Sequence, residues 1–297
     1  MTTSPRDKHQ GGISRVGHWA IVRIVAQAAA LVITVVIVSR VGSLFIPPAP
    51  SPLHTELAAL RNLLATALAL GVYTLMVRWM EQRPPIELDP RAGAAQLLAG
   101  AAFGASLMAA VYGVLWTLGV VRFGPGAGLD GLLPGLAAAL LAAVFEELLL
   151  RAVLFRIVEQ ACGTTIALVV SAGIFGLLHG ANPGATLFSD AAIAVEAGLL
   201  LALAYALTRN LWLAIGIHAG WNFTEGSLFG AQVSGGASVH SLVRATLSGP
   251  QLLTGGAFGP EASIVSIGVS GLASAILAVV IIRQGGWRPR AFRMTLD

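Results

Sequence analysis

Of 297 residues, 56% are hydrophobic and only 11% charged, with a mean hydropathy of +0.80; no water-soluble domain of this length sustains such values, so apolar side chains must face lipid. The net charge of +4 comes almost wholly from arginine, with Lys8 the one lysine, and the arginines fall between apolar runs, as topology signals do, rather than on the single patch a nucleic-acid partner needs. Cys162 is the only cysteine, which excludes an intramolecular disulfide and a multi-cysteine zinc site.

In chain order, a basic stretch (Arg6, Lys8, Arg15) precedes an apolar run from Trp19 to Val38. That run is followed by Arg40 rather than a small-residue cleavage site, which predicts a retained first helix. Pro47, Pro48, Pro50 and Pro52 predict a loop, because proline lacks the amide a helix interior needs. A second run covers Leu57 to Val77, and the charged, proline-bearing stretch from Glu81 to Arg91 reads as a solvent loop. A third run covers Ala94 to Val121, before Gly124, Pro125, Gly126 and Gly128 break the chain. Four further helices are predicted over Leu132 to Val158, Thr165 to Gly180, Leu187 to Leu207 and Leu211 to Leu228. The Gly/Ser-rich segment from Gly230 to Ser263 reads as a loop with a surface-lying helix at Val239 to Leu247. A last run, Ile264 to Ile282, leads into a tail with Arg283, Arg288, Arg290 and Arg293.

At roughly 20 residues per crossing, these runs predict an all-α fold: a polytopic membrane helical bundle of about eight transmembrane helices around a polar catalytic cavity. Three regions follow: N-terminal helices and a cytoplasmic loop (1–93), a helical core with the polar motifs (94–230), and an extracytoplasmic loop, last helix and basic tail (231–297). One side collects Arg6, Lys8, Arg15, Arg78, Arg83, Arg91, Arg156, Arg209 and the tail arginines, the other only Arg40, Arg61, Arg122 and Arg244. The first side, with both termini, is therefore expected in the cytoplasm, and the protein in the cytoplasmic membrane.

An ionisable group within a span is costly and marks function by default. The fourth run contains Glu146 and Glu147, with Arg151 four residues beyond Glu147, the spacing that stacks acid and base on one helix face. Glu146 points about 100° away and has no partner at that spacing. The fifth run ends Phe175-x-x-x-His179, and the seventh holds His218-x-x-x-Asn222, two hydrogen-bonding groups on one face. Lipid offers these groups no partner, so Glu146, His179, His218 and Asn222 are expected to converge. Glu196, midway through the sixth run, is expected to pair with a cavity histidine or line a water path, and Arg23 to snorkel to the cytoplasmic surface.

Peptide hydrolysis needs a base for water, a group to orient that water and donors for the oxyanion. Glu146, desolvated and without a cation of its own, suits the base; His179 can hold the water; His218 and Asn222 suit the oxyanion. No nucleophile elbow is evident and Cys162 lies outside the motifs. No cofactor is required by this reading. Zinc is the rival, with Glu146, His179 and His218 as its ligands, although the two-histidine helical zinc motif is absent.

Together the three motifs, in order and each inside an apolar run, resemble those of the CPBP family, the CAAX prenyl proteases and bacteriocin-processing (Abi-type) proteins. The likeness covers roughly Leu97 to Leu228. It implies a membrane-embedded endopeptidase in which Glu146 and His179 activate water, His218 and Asn222 support the oxyanion, and Glu147, Arg151 and Phe175 play supporting parts. Its substrate would be a peptide or membrane protein met in lipid, not a nucleic acid; eukaryotic members act on prenylated CAAX proteins. Two other classes stay open: a non-catalytic scaffold or immunity protein, and a transporter, for which paired broken helices in related halves would be expected.

Overall fold

The computed structural model describes residues 5–49, 51–236 and 241–289. Arg290, Arg293 and Val239, on which some expectations fall, lie outside these residues, as do the side chains of Arg6, Lys8 and Arg15. The protein is almost entirely helical: α1 (Pro5–Ser43), α2 (Pro52–Met76), α3 (Gly93–Thr117), α4 (Leu132–Glu147), α5 (Arg156–Cys162), α6 (Thr164–His179), α7 (Leu187–Ile193), α8 (Leu200–Thr208), α9 (Leu211–Asn222), α10 (Gln251–Thr254) and α11 (Ile264–Arg283). Five stretches are long and apolar enough to cross a membrane: Trp19–Ser43, Leu53–Glu81, Ile86–Thr117, Leu187–Thr208 and Ile264–Arg283.

Several helices run on into π-helical segments at Val77–Glu81, Leu148–Phe155, Ala194–Leu199 and Phe223–Leu228. A π turn shifts the hydrogen-bond ladder to i→i+5 and re-aims the side chains after it, which is why such turns gather at functional sites. Three of the four adjoin the polar groups singled out above, next to Glu147, at Glu196 and after Asn222.

The closest helix pair is α3 with α9. A Cβ on Gly104 would overlap the Ile217 carbonyl, and one on Gly220 the Ala101 carbonyl; Gly100 and Gly216 meet the opposite backbone in the same way. Glycines spaced by four on both helices thus let two backbones touch, as at membrane interfaces where packing rather than the hydrophobic effect holds helices together. His218 sits between the two α9 glycines, so this contact sets its height.

Three expectations are corrected. The stretch from Glu81 to Arg91 is not a solvent loop: short 3-10 turns at Ile86–Leu88 and Pro90–Ala92 fold it against the bundle, and Glu87 is 1% exposed. Arg23 does not snorkel; its Nη2 pairs with Glu81 at 3.0 Å. Glu81 also takes Gln27 at 2.8 Å, Arg83 at 2.7 Å and Arg156 at 2.7 Å, so a carboxylate inside the bundle gathers donors that would otherwise seek water. The third correction is Val243–Leu247, a strand (β2) and not a surface helix. It pairs antiparallel with β1 (Val121–Pro125), Val121 opposite Leu247 and Pro125 opposite Val243. Phe123 of β1 packs near Tyr112 and Phe229, ring centroids 6.0 and 5.5 Å away, and that apolar cover favours the ladder over a helix lying on the surface.

Arg156 to Glu81, Asn210 to Asp89, Arg209 to the Gly286 carbonyl and Thr164 to the Arg288 carbonyl tie the connections at one end of the bundle. The β1–β2 ladder lies where α3 ends, away from this basic end.

Candidate active site

α4 ends on Glu146-Glu147, and the two glutamates meet different surroundings. Glu147 is fully buried and accepts from Arg151, also fully buried, at 2.9 Å. Arg151 donates further to the Ala197 and Gly198 carbonyls at 2.9 and 3.1 Å, and its guanidinium lies 4.6 Å over the Phe175 ring. A buried guanidinium needs partners for its donors, and the bonds from Nη1 and Nη2 tie Glu147 of α4 to the 194–199 segment, with Phe175 of α6 packed on the guanidinium face.

The same Glu147 oxygen, Oε1, also accepts from His218 Nδ1 at 3.0 Å. With Nδ1 donating, His218 turns Nε2 toward Glu146 Oε2, 3.8 Å away. His179, at the end of α6, donates from Nδ1 to the Phe175 carbonyl at 2.9 Å and places Nε2 4.0 Å from the same Glu146 oxygen. A carbonyl can only accept, so the neutral His179 ring presents a lone pair at Nε2. Phe175 stacks on His179 at 4.7 Å and meets His218 edge-on at 6.2 Å, holding both rings.

Glu146 Oε2 has no hydrogen-bond partner, and the side chain is 27% exposed against 0% for Glu147. Atoms 3.8–4.0 Å apart are too far for a direct bond, but the spacing is one that a water about 2.8 Å from each would bridge. Glu146, His179 and His218 are thus brought together, and Asn222 lines the same cavity as both histidines, one turn beyond His218. Glu147, Arg151 and Phe175 form the brace behind them. Among the described residues no three His, Cys, Asp or Glu side chains are grouped to hold a metal ion.

Glu196 lines this cavity too, one of the two places expected for it. So does Glu261, from the short 3-10 turn Pro260–Ala262, and Glu225 is buried one turn beyond Asn222; neither was anticipated. Glu225 was visible to the rule that flagged Glu196, since it lies inside the seventh apolar run. Glu261 carries no such mark, because it sits in a glycine-rich stretch outside any run.

Residues 128–224 match the family model described as type II CAAX prenyl endopeptidase Rce1-like. The match covers about a third of the chain and takes in Glu146, Glu147, Arg151, Phe175, His179, His218 and Asn222. Searches of curated proteins and of solved structures returned no match. Over residues 128–224 the chain is thus similar to the CAAX prenyl endopeptidases, and the match supports the CPBP/CAAX protease resemblance seen in the motifs.

Proposed function

We propose that the protein hydrolyses a peptide bond with a water activated by Glu146. The observation that carries this reading is the unpartnered Glu146 Oε2 facing the Nε2 atoms of both histidines at 3.8 and 4.0 Å. A water held there donates one hydrogen to Glu146 and the other to His179 Nε2, which leaves an oxygen lone pair free for the scissile carbonyl carbon. As the C–O bond forms, Glu146 takes the proton. The carbonyl oxygen becomes an oxyanion, for which His218 Nε2–H and the Asn222 amide are the donors. Glu147 supports that role by stabilising a protonated His218, as a carboxylate behind a catalytic imidazole does. When the C–N bond breaks, Glu146 returns its proton to the leaving nitrogen, and the products are a carboxylic acid, which keeps the second water proton, and an amine; transfer of that proton to the amine gives the carboxylate and ammonium.

No step needs a cofactor, and the substrate is a peptide or membrane protein. We assign the protein to the cytoplasmic membrane with both termini in the cytoplasm, because the arginines gather at the end of the bundle where Arg156, Arg209 and Arg288 lie. Reporter fusions after Asp297 and near Ser238 should give opposite signals; equal signals overturn that map.

The decisive measurement is cleavage of a quenched peptide library by the purified full chain and by Glu146→Gln, beside thermal unfolding. Losing a general base lowers rate by about 10²–10⁴-fold, with no loss of stability expected here. A variant that cleaves normally, or that fails only by unfolding, removes Glu146 from the mechanism and favours a scaffold. Zinc is the rival cofactor reading: activity lost to a chelator and restored by stoichiometric zinc would replace the metal-free scheme.

A further inference from the structure

Beside the reacting groups lies a second concentration of charge. Glu196, Glu225 and Glu261 are each at most 2% exposed and lie within electrostatic reach of one another. Glu196 Oε2 has no hydrogen-bond partner, and Glu225 and Glu261 turn to each other, carboxyl against carboxyl, with no cation between them. Ser234, held in the left-handed region at φ 47°, turns its hydroxyl and amide to Glu261, so one side of that carboxylate is fixed while the other faces Glu225. Around them the Trp221 Nε1 and Thr224 Oγ1 atoms, on residues no more than 5% exposed, are unpartnered as well, and Trp221 lines the cavity with Glu196 and Glu261. Native interiors satisfy nearly all buried polar atoms, so such a group of orphans points to an occupant. No arginine or lysine among the described residues forms an ion pair with any of the three glutamates.

We propose that this cluster is a docking pocket for a cationic side chain, arginine or lysine, of the peptide next to the scissile bond. The proposal rests on the peptidase reading above and gives it a substrate class. Glu196 and Glu261 share one cavity wall with His179, His218 and Asn222, so a substrate held over Glu146 brings its neighbouring side chain alongside them. In the empty cavity burial pushes the Glu261 carboxyl above its ordinary range, favouring a proton there; a guanidinium replaces that proton and supplies donors to the open carboxylate oxygens. The Thr224 and Ser266 hydroxyls, which accept as well as donate, suit such a network, whereas an apolar substrate side chain would leave the three carboxyls without a cation.

The test uses quenched peptides in which one arginine is walked through a neutral sequence, each paired with its citrulline analogue, which keeps the shape and loses the charge. Binding is read with the full-length Glu146→Gln chain, and turnover with wild type. At one position arginine should improve both affinity and kcat/KM at least about tenfold over citrulline, and the ratio should fall toward one in Glu196→Gln/Glu261→Gln. Equal binding of the two peptides at every position overturns the proposal, as does a preference that survives the double substitution. A cluster that instead raises Tm with calcium or sodium while ignoring the peptide charge is an inorganic cation site, and that result also overturns it. Should the double variant fail to fold, the arginine-to-citrulline comparison on the otherwise unaltered chain still decides. Preferential binding without cleavage keeps the pocket and removes the peptidase; cleavage without preference does the reverse.

Discussion

Two groups of buried carboxylates sit in this bundle, and they are built in opposite ways. At the basic end Glu81 receives Arg23, Gln27, Arg83 and Arg156, while Glu87 receives Arg83 and the Tyr73 hydroxyl. At the cavity end Glu196, Glu225 and Glu261 form no ion pair with an arginine among the described residues, and Glu225 and Glu261 turn to each other. The first arrangement fastens α1, α2 and the 148–162 stretch together; the second gathers acids with no cation among them beside His179, His218 and Asn222. Glu146 and Glu147 reproduce the same contrast within one turn, Glu147 buried and braced through Oε1 by Arg151 and His218, Glu146 part-exposed and without an arginine. Burial alone therefore does not tell a fastener from a site: the opposite charge, or its absence, does.

That contrast is breakable by neutralising each glutamate in turn. The largest stability effects are expected where cations lie opposite. Glu147→Gln strands the fully buried Arg151 and Glu81→Gln strands Arg156, and removing one partner of a buried pair typically costs about 3–5 kcal/mol. Thermal unfolding in a single detergent measures this; a loss well under about 1 kcal/mol at both sites would mean the pairs do not fasten the bundle. Next comes the helix contact that sets the height of His218. Gly104→Val forces a branched side chain into the Ile217 backbone, and overpacking of this kind costs about 1–3 kcal/mol, with activity falling as α9 is displaced. Wild-type activity and Tm in this variant would show that α3 does not position the site. The smallest effect is expected at Glu225→Gln, where the amide replaces a carboxylate that no cation supports. Its Tm should equal or exceed that of wild type, and a drop as large as that of Glu81→Gln would erase the distinction between the two regions.

Much of the core was readable in advance. Expected helix limits from Leu132 onward fall within a few residues of α4 to α9 and α11, because hydropathy is a strong signal where the solvent is lipid. The Glu147–Arg151 pair was readable too, since residues four apart share a face even as the helix passes into a π segment. What misled was charge treated as a sign of water. The 81–91 stretch looks solvated in sequence, yet its acids are the anchor for arginines arriving from two other parts of the chain, Arg23 and Arg156. The β1–β2 ladder was hidden for a related reason: its partner strands lie more than a hundred residues apart, and neither is apolar enough to stand out.

The sequence by itself determined that the chain lives in lipid, that it is helical, and that Glu146, His179, His218 and Asn222 are anomalous within apolar runs. These follow from one-dimensional pattern and the expense of polar groups in hydrocarbon. Only the tertiary structure decided which glutamate is braced and which is open, that Phe175 clasps both histidines, and that Glu261 reaches the cavity wall from a loop. Those outcomes depend on which groups from distant segments come within a few ångströms, and at that range hydrogen bonding and charge pairing, not local periodicity, determine what each side chain does.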